Sequence, residues 1–310
     1  MNTQSNPMTE SLASAVAAPT PMLATRPFYW SVRRELWENR SIYLAPLGVA
    51  AVFLFGFLIS AIHLPGKMRA MSLIDPAQQR ELIAMPYDIV AGLMMFLTML
   101  VNVFYCADAL YGERRDRSIL FWKSLPVSDL TTVLAKASIP LVVVPLVAWA
   151  IAVGVQWLML LLSSAVLLGS GLSVSALWTQ LSFFRMSLLL LYHLLTAHTL
   201  WPAPIYCWLL LVSGWARRAT LLWAVLPVVA IAGLEAIVFH TWYFVTLVGA
   251  RLIGSAPERN FPSPDIFPTN PMTHITPGHF LGSPSLWIGL ALSAAFLAGA
   301  VRLRRYQGPI

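Results

Sequence analysis

The chain has 310 residues, 58% of them hydrophobic and 11% charged, against ~25% charged in an ordinary soluble domain. Its mean hydropathy is +0.72. These values exclude a soluble globular enzyme, a disordered chain and a disulfide-rich secreted module, and they predict an all-α membrane protein. The net charge of +7 then poses a question of placement. The basic residues either mark membrane boundaries or serve a nucleic-acid partner.

Residues 1–25 are rich in Ala, Ser, Thr and Pro and hold one charge, Glu10. They lack the basic start and apolar core of a signal peptide, and read as a disordered cytosolic tail before a single membrane domain over 26–310. Next, Phe28, Val32, Leu36 and Trp37 recur at helical spacing, with charges on the other side. That pattern predicts an amphipathic helix in the membrane interface, either a plain anchor or one that also touches a partner.

Uncharged runs then predict six spans, near 42–62, 87–110, 139–168, 186–214, 220–250 and 285–301. Gly169-Ser170-Gly171 breaks the long run after the third, so 172–184 reads as a short interfacial or re-entrant piece. Pro202 and Pro204 predict a kink or a break in the fourth. Residues 251–284, with many prolines, form an outer loop, read as an ordered cap although a flexible loop is compatible. Cys106 and Cys207 lie in apolar runs and read as small buried hydrophobes.

With a cytoplasmic N-terminus, six of the 20 Lys and Arg fall outside: Lys67, Arg69, Arg80, Arg185, Arg251 and Arg259. The other fourteen fall inside. This bias predicts both termini in the cytoplasm, and it accounts for the positive charge without nucleic acid.

The loop between spans two and three opens with mixed charge from Glu113 to Arg117. A short helix bearing Ile119, Leu120 and Trp122 follows, stopped at Leu125-Pro126. Ser128 is placed to cap the next helix. Exposed Ile, Leu, Phe and Trp either dock into a partner or rest among headgroups. The run DALYGERRDRSILFWKSLPVSDLTTVLAK, Asp108 to Lys136, resembles the corresponding loop of ABC-2 type transporter permeases. The six-span layout and the preceding amphipathic helix are similar too. The resemblance implies that this loop is a coupling helix docking on a separate ATPase subunit. It implies that role for Glu113, Arg114, Arg115, Asp116, Arg117, Ser118, Phe121 and Trp122. It also implies a permease homodimer with two ATPases, in a bacterial inner membrane. A hydrophobic or amphipathic substrate (peptide, drug or lipid) would pass between the permeases.

The chain has no phosphate-cradling Gly-rich loop, so ATP and Mg would sit on the partner, and no catalytic or metal motif is recognised. Four intramembrane polar residues stand out. Glu235 reads as a mid-span acid, either a structural hydrogen-bonder or a point in a substrate or proton path. His240 lies five residues on. His193 is a possible cross-helix partner for Glu235, and Asn102 an interhelical hydrogen-bonder. A proton-driven secondary transporter using Glu235, and an assembly subunit that transports nothing, are the competing functions.

Overall fold

The computed structural model describes residues 25–71, 74–125, 127–253 and 277–308. Residues 1–24 of the predicted tail, Pro126 and most of the proline-rich outer loop lie outside the described residues. The described residues are helical, with no strand among them.

Helix α1 (Thr25–Glu38) precedes α2 (Ser41–Ala61). The short α3 (Leu64–Met71) leads into α4 (Pro76–Asp108), which extends well beyond the predicted second span at its N-terminal end. Two short helices follow, α5 (Tyr111–Arg115) and α6 (Ser118–Ser124). Helix α7 (Asp129–Ser138) continues through a π-helical turn (Ile139–Val143) into α8 (Val144–Gly169). Then come α9 (Ser175–Gln180), α10 (Phe183–Leu195), a second π-turn (Thr196–Leu200) and α11 (Ala203–Trp215). Helices α12 (Thr220–Phe239), α13 (Tyr243–Ile253), α14 (Pro277–Gly282) and α15 (Pro284–Tyr306) complete the order.

Five described helical segments are long and apolar enough to cross a membrane. A sixth crossing results if the pair Phe183–Leu200 and Ala203–Trp215, bent by 49°, counts as one. This is the makeup of a multi-pass membrane protein. The outward surfaces agree: Val52 on α2 is 75% exposed and Ile237 on α12 is 76% exposed. Helices that are apolar all round belong in lipid or a core, not in water. Helix α12 turns only the small Thr220, Ala224 and Ala232 inward, as membrane helices do where backbones approach closely.

The core is built on α4, α8 and α11, with α2, α10 and α15 around them. Tyr87, Met94, Met159 and Leu194 fill one half, and Cys106, Ile139, Tyr206 and Leu210 the other. Both cysteines are free and buried.

The bends follow from proline. In the first π-turn, Val144 N–H donates to Ile139 O. The same register would pair Pro140 O with residue 145, but Pro145 has no N–H. Asn102 Nδ2 donates to that carbonyl instead, at 3.1 Å. In the second, Trp201 N–H donates to Thr196 O at 2.9 Å. Pro202 and Pro204 withhold the next donors, and the Tyr206 hydroxyl donates to His198 O at 3.1 Å. So the fourth run is broken at the two prolines, one of the two outcomes that they predict.

The fifth run differs more. It is not one helix from Thr220 to Ala250. Helix α12 stops at Phe239, His240 takes a left-handed φ of 51°, and α13 starts at Tyr243. On α1, Val32 and Leu36 pack inward as expected, but Trp37 is exposed, stacked beside Arg33.

Candidate functional site at the charged end

One end of the bundle gathers α1, α5, α6, α7 and the last turn of α15 around buried ions. Glu35 on α1 is 1% exposed and Lys136 on α7 is 2% exposed. The Glu35 carboxylate accepts from Lys136 Nζ at 2.8 Å, from Arg34 Nη2 at 2.7 Å and from the Tyr105 hydroxyl at 2.9 Å. Glu113 on α5 accepts from Arg34 Nη2 at 2.7 Å, lies 3.2 Å from Lys136 Nζ and accepts from Arg304 Nη1 on α15. Arg304 Nε is also 3.2 Å from Asp129 of α7. Three cations and three carboxylates therefore join four helices. Burial pushes the Glu35 carboxyl up, but the cations of Lys136 and Arg34 outweigh it and hold the group below its ordinary range.

Arg114, next to Glu113, points elsewhere. Its Nη1 donates to Gly214 O at 2.7 Å and Ala216 O at 3.1 Å, the carbonyls left open at the end of α11. Its Nε reaches Gly308 O at 3.4 Å. Two successive residues thus bind the loop to different helices, Glu113 to α1, α7 and α15 and Arg114 to the end of α11.

Helix α6 is set on this base. Arg117 takes a left-handed φ of 59° before it. Ile119 is buried, and the Trp122 ring lies beneath the Arg34 guanidinium at 3.8 Å. Lys123 Nζ donates to Gln307 O at 3.1 Å. Ser128 caps α7 as predicted, its Oγ accepting from Thr131 N–H at 3.1 Å. What remains outside is Leu120, 59% exposed, and Phe121, 60% exposed. Arg115, Asp116 and Arg117 are exposed beside them.

The eight loop residues therefore divide. Glu113 and Arg114 are buried, while Ser118, whose Oγ reaches Glu113 O at 3.5 Å, and Trp122 are partly buried. Arg115, Asp116, Arg117 and Phe121 face out. Asp108 pairs loosely with Arg115 at 3.9 Å, both exposed.

The intramembrane polar residues do not form one site. Asn102 braces the first π-turn. His193 is buried with Nδ1 against Leu189 O of its own helix at 2.9 Å. Glu235 is not a mid-span acid: it lies in the last turns of α12 and caps α13. Its Oε1 accepts from Tyr243 N–H at 2.7 Å and the Thr241 hydroxyl at 2.9 Å, and its Oε2 accepts from Phe244 N–H at 2.9 Å. His240 is exposed at the turn.

Sequence reasoning passed over Glu35, Lys136 and Arg304 as ordinary flanking charges. It also passed over Arg251, which is 8% exposed on α13. Its guanidinium lies 4.2 Å from the Trp201 ring, and its Nη1 donates to Trp201 O at 3.1 Å. Nη2 donates to the Ser285 hydroxyl at 2.8 Å. Trp201 Nε1 in turn donates to Ala250 O at 3.1 Å. The signal that was there is isolation: Lys136 is a lone charge between Val133 and Ile139, apolar residues that face inward.

Comparisons with protein-family models, curated proteins and solved structures give no match to this chain. Among the described residues no group of three or more His, Cys, Asp or Glu is placed to hold a metal ion.

Proposed function

We propose that this chain is the membrane-spanning permease subunit of an ATP-driven exporter of the ABC-2 type, with α6 as the element that receives force from a separate ATPase. The observation that carries this reading is the two-sided build of α6. Its inner side is tied to the bundle through Ile119, Trp122 and Lys123, and its outer side presents Leu120 and Phe121 with nothing on them. A rigid lever with an apolar knob and charged surroundings suits docking into a groove of a partner.

In this reading the bent pair is one span, which makes six, and the charged end faces the cytoplasm of a bacterial cell. The described chain begins and ends at that end, as an even number of spans requires. Two permeases and two ATPases form the working unit, and a hydrophobic or amphipathic substrate is exported. Glu235, on which a proton-driven reading would rest, uses both carboxylate oxygens to cap α13, which supports a structural role.

Affinity purification of the full chain from its own membranes is expected to bring down an ATP-binding subunit in equal amount. The Leu120→Ala/Phe121→Ala variant is expected to lose it while keeping its thermal midpoint. Absence of any ATPase, or its undiminished recovery with that variant, would overturn the proposal.

A further inference from the structure

A slot lies at the opposite end of the bundle from the ion cluster. It has a volume of about 350 Å³, lined by residues of α2, α3, α4, α8 and α9. That is at the lower end of the ~300–1,000 Å³ typical of small-molecule sites, room for one narrow chain rather than a bulky ligand. Phe57, Met68, Ile83 and Pro86 are among its walls. The polar groups are few and graded by depth. Lys67 on α3 is exposed at the rim, and no carboxylate among the described residues pairs with it. Ser163 and Tyr87 are buried in the interior wall.

The level of the slot narrows the choice of occupant. A span of ~20 residues counted back from Asp108 along α4 reaches Ile89. The slot uses Leu82 to Ile89 of that helix and the last turn of α2, Phe57 to Ala61. It therefore straddles the boundary where hydrocarbon gives way to headgroups. An occupant there must be apolar toward the bilayer and polar above it. Among the described residues that line the slot, Lys67 carries the charge, and a cation selects an anionic head.

We propose that this slot holds one acyl chain of an anionic phospholipid of the surrounding bilayer, with its phosphate at Lys67. The chain lies along Phe57, Met68, Ile83 and Pro86. The slot is lined by residues of a single chain. It does not depend on the export reading.

The test places the full-length protein in nanodiscs of phosphatidylcholine. These carry a trace of phosphatidylglycerol or of phosphatidylcholine, each with the same photoreactive group in one acyl chain. Crosslinks are expected on the peptides covering 57–68 and 82–89, with phosphatidylglycerol favoured roughly five-fold, the factor for one cation near an anionic headgroup. Lys67→Ala, at an exposed position, is expected to bring that ratio to about one. Lys123→Ala, a cation at the other end, is expected to leave it unchanged. Leu82→Trp, which narrows the mouth, is expected to lower crosslinking by both lipids. Equal crosslinking by the two lipids in the unaltered protein would overturn the proposal. So would crosslinks mapping elsewhere, or a preference that survives Lys67→Ala.

Discussion

Two buried cations at opposite ends of the bundle are accommodated in different ways. Lys136 is met by the carboxylates of Glu35 and Glu113. Arg251 is met, among the described residues, by the carbonyl of Trp201, the Ser285 hydroxyl and the face of an indole. The first solution is charge for charge and binds four helices together. The second is charge on dipole and braces a single break. Removing one member of the first leaves an uncompensated charge in a dry place. Removing Arg251 itself leaves only unpaired dipoles, and removing one of its partners leaves it the others. The two ends should therefore fail by different amounts and respond differently to pH.

The largest expected loss is at the ionic end. Glu113→Gln leaves Lys136 and Arg34 sharing Glu35 and leaves Arg304 with the partly exposed Asp129, and breaking a buried pair in this way costs about 3–5 kcal/mol. Thermal unfolding in detergent measures it. Adding Arg304→Gln removes a charge of the opposite sign, so the double variant is expected to recover part of the loss. A double variant weaker than the single one would mean that packing, not charge, holds that end.

Gly289→Ala tests the other end. A Cβ there would stand 2.6 Å from Arg251 Nη1. Overpacking of this kind costs about 1–3 kcal/mol. Arg251→Ala should relieve the clash, so adding Gly289→Ala to it is expected to cost little more.

Acid should separate the ends without mutation. Glu35 titrates below its ordinary value in the folded protein. The stability that it contributes is therefore fully present above the ordinary carboxylate pKa of about 4.3 and is lost as pH falls through the lower, folded value. Among the described residues, the Arg251 contacts involve no group that titrates in that window. Near-ultraviolet dichroism below about pH 4.3 is expected to report loosening around Trp122 before Trp201, followed with a single tryptophan retained at either position. Simultaneous loss would sink the contrast.

Smaller effects should follow from residues outside both clusters. Glu235→Gln retains an acceptor oxygen and is expected to loosen the start of α13 slightly, seen as faster amide exchange at Tyr243 and Phe244, with transport intact. Abolished transport with normal exchange would return Glu235 to the substrate or proton path. Phe121→Ala should leave stability within about 0.5 kcal/mol, as exposed positions usually do.

Much of the framework was legible because lipid imposes a simple rule, an uncharged run of sufficient length. The Ser128 cap was legible because it acts three residues away. The end of α12 was not, since no proline or glycine marks Thr241-Trp242. It is set by a carboxylate reaching six to nine residues ahead, which local pattern cannot reveal. The ion cluster was hidden for a related reason. Glu35, Glu113, Lys136 and Arg304 each resemble a flanking charge, and only folding brings positions 101 and 191 residues apart into contact. The loop was recognised as important, but its inward and outward halves are separated by side-chain direction, which spacing does not resolve over so short a helix.

The tie between Lys123 and the carbonyl of Gln307, with Arg114 reaching Gly308, bears on how the protein should be handled. A reporter or affinity handle fused just beyond Gly308 would be mounted on the same strap that steadies α6. Its bulk would press on the lever, and its motion would blur any signal meant to come from it. The same placement becomes an asset for force spectroscopy, since a pull applied there is delivered within one side chain to α6 and within another to the end of α11.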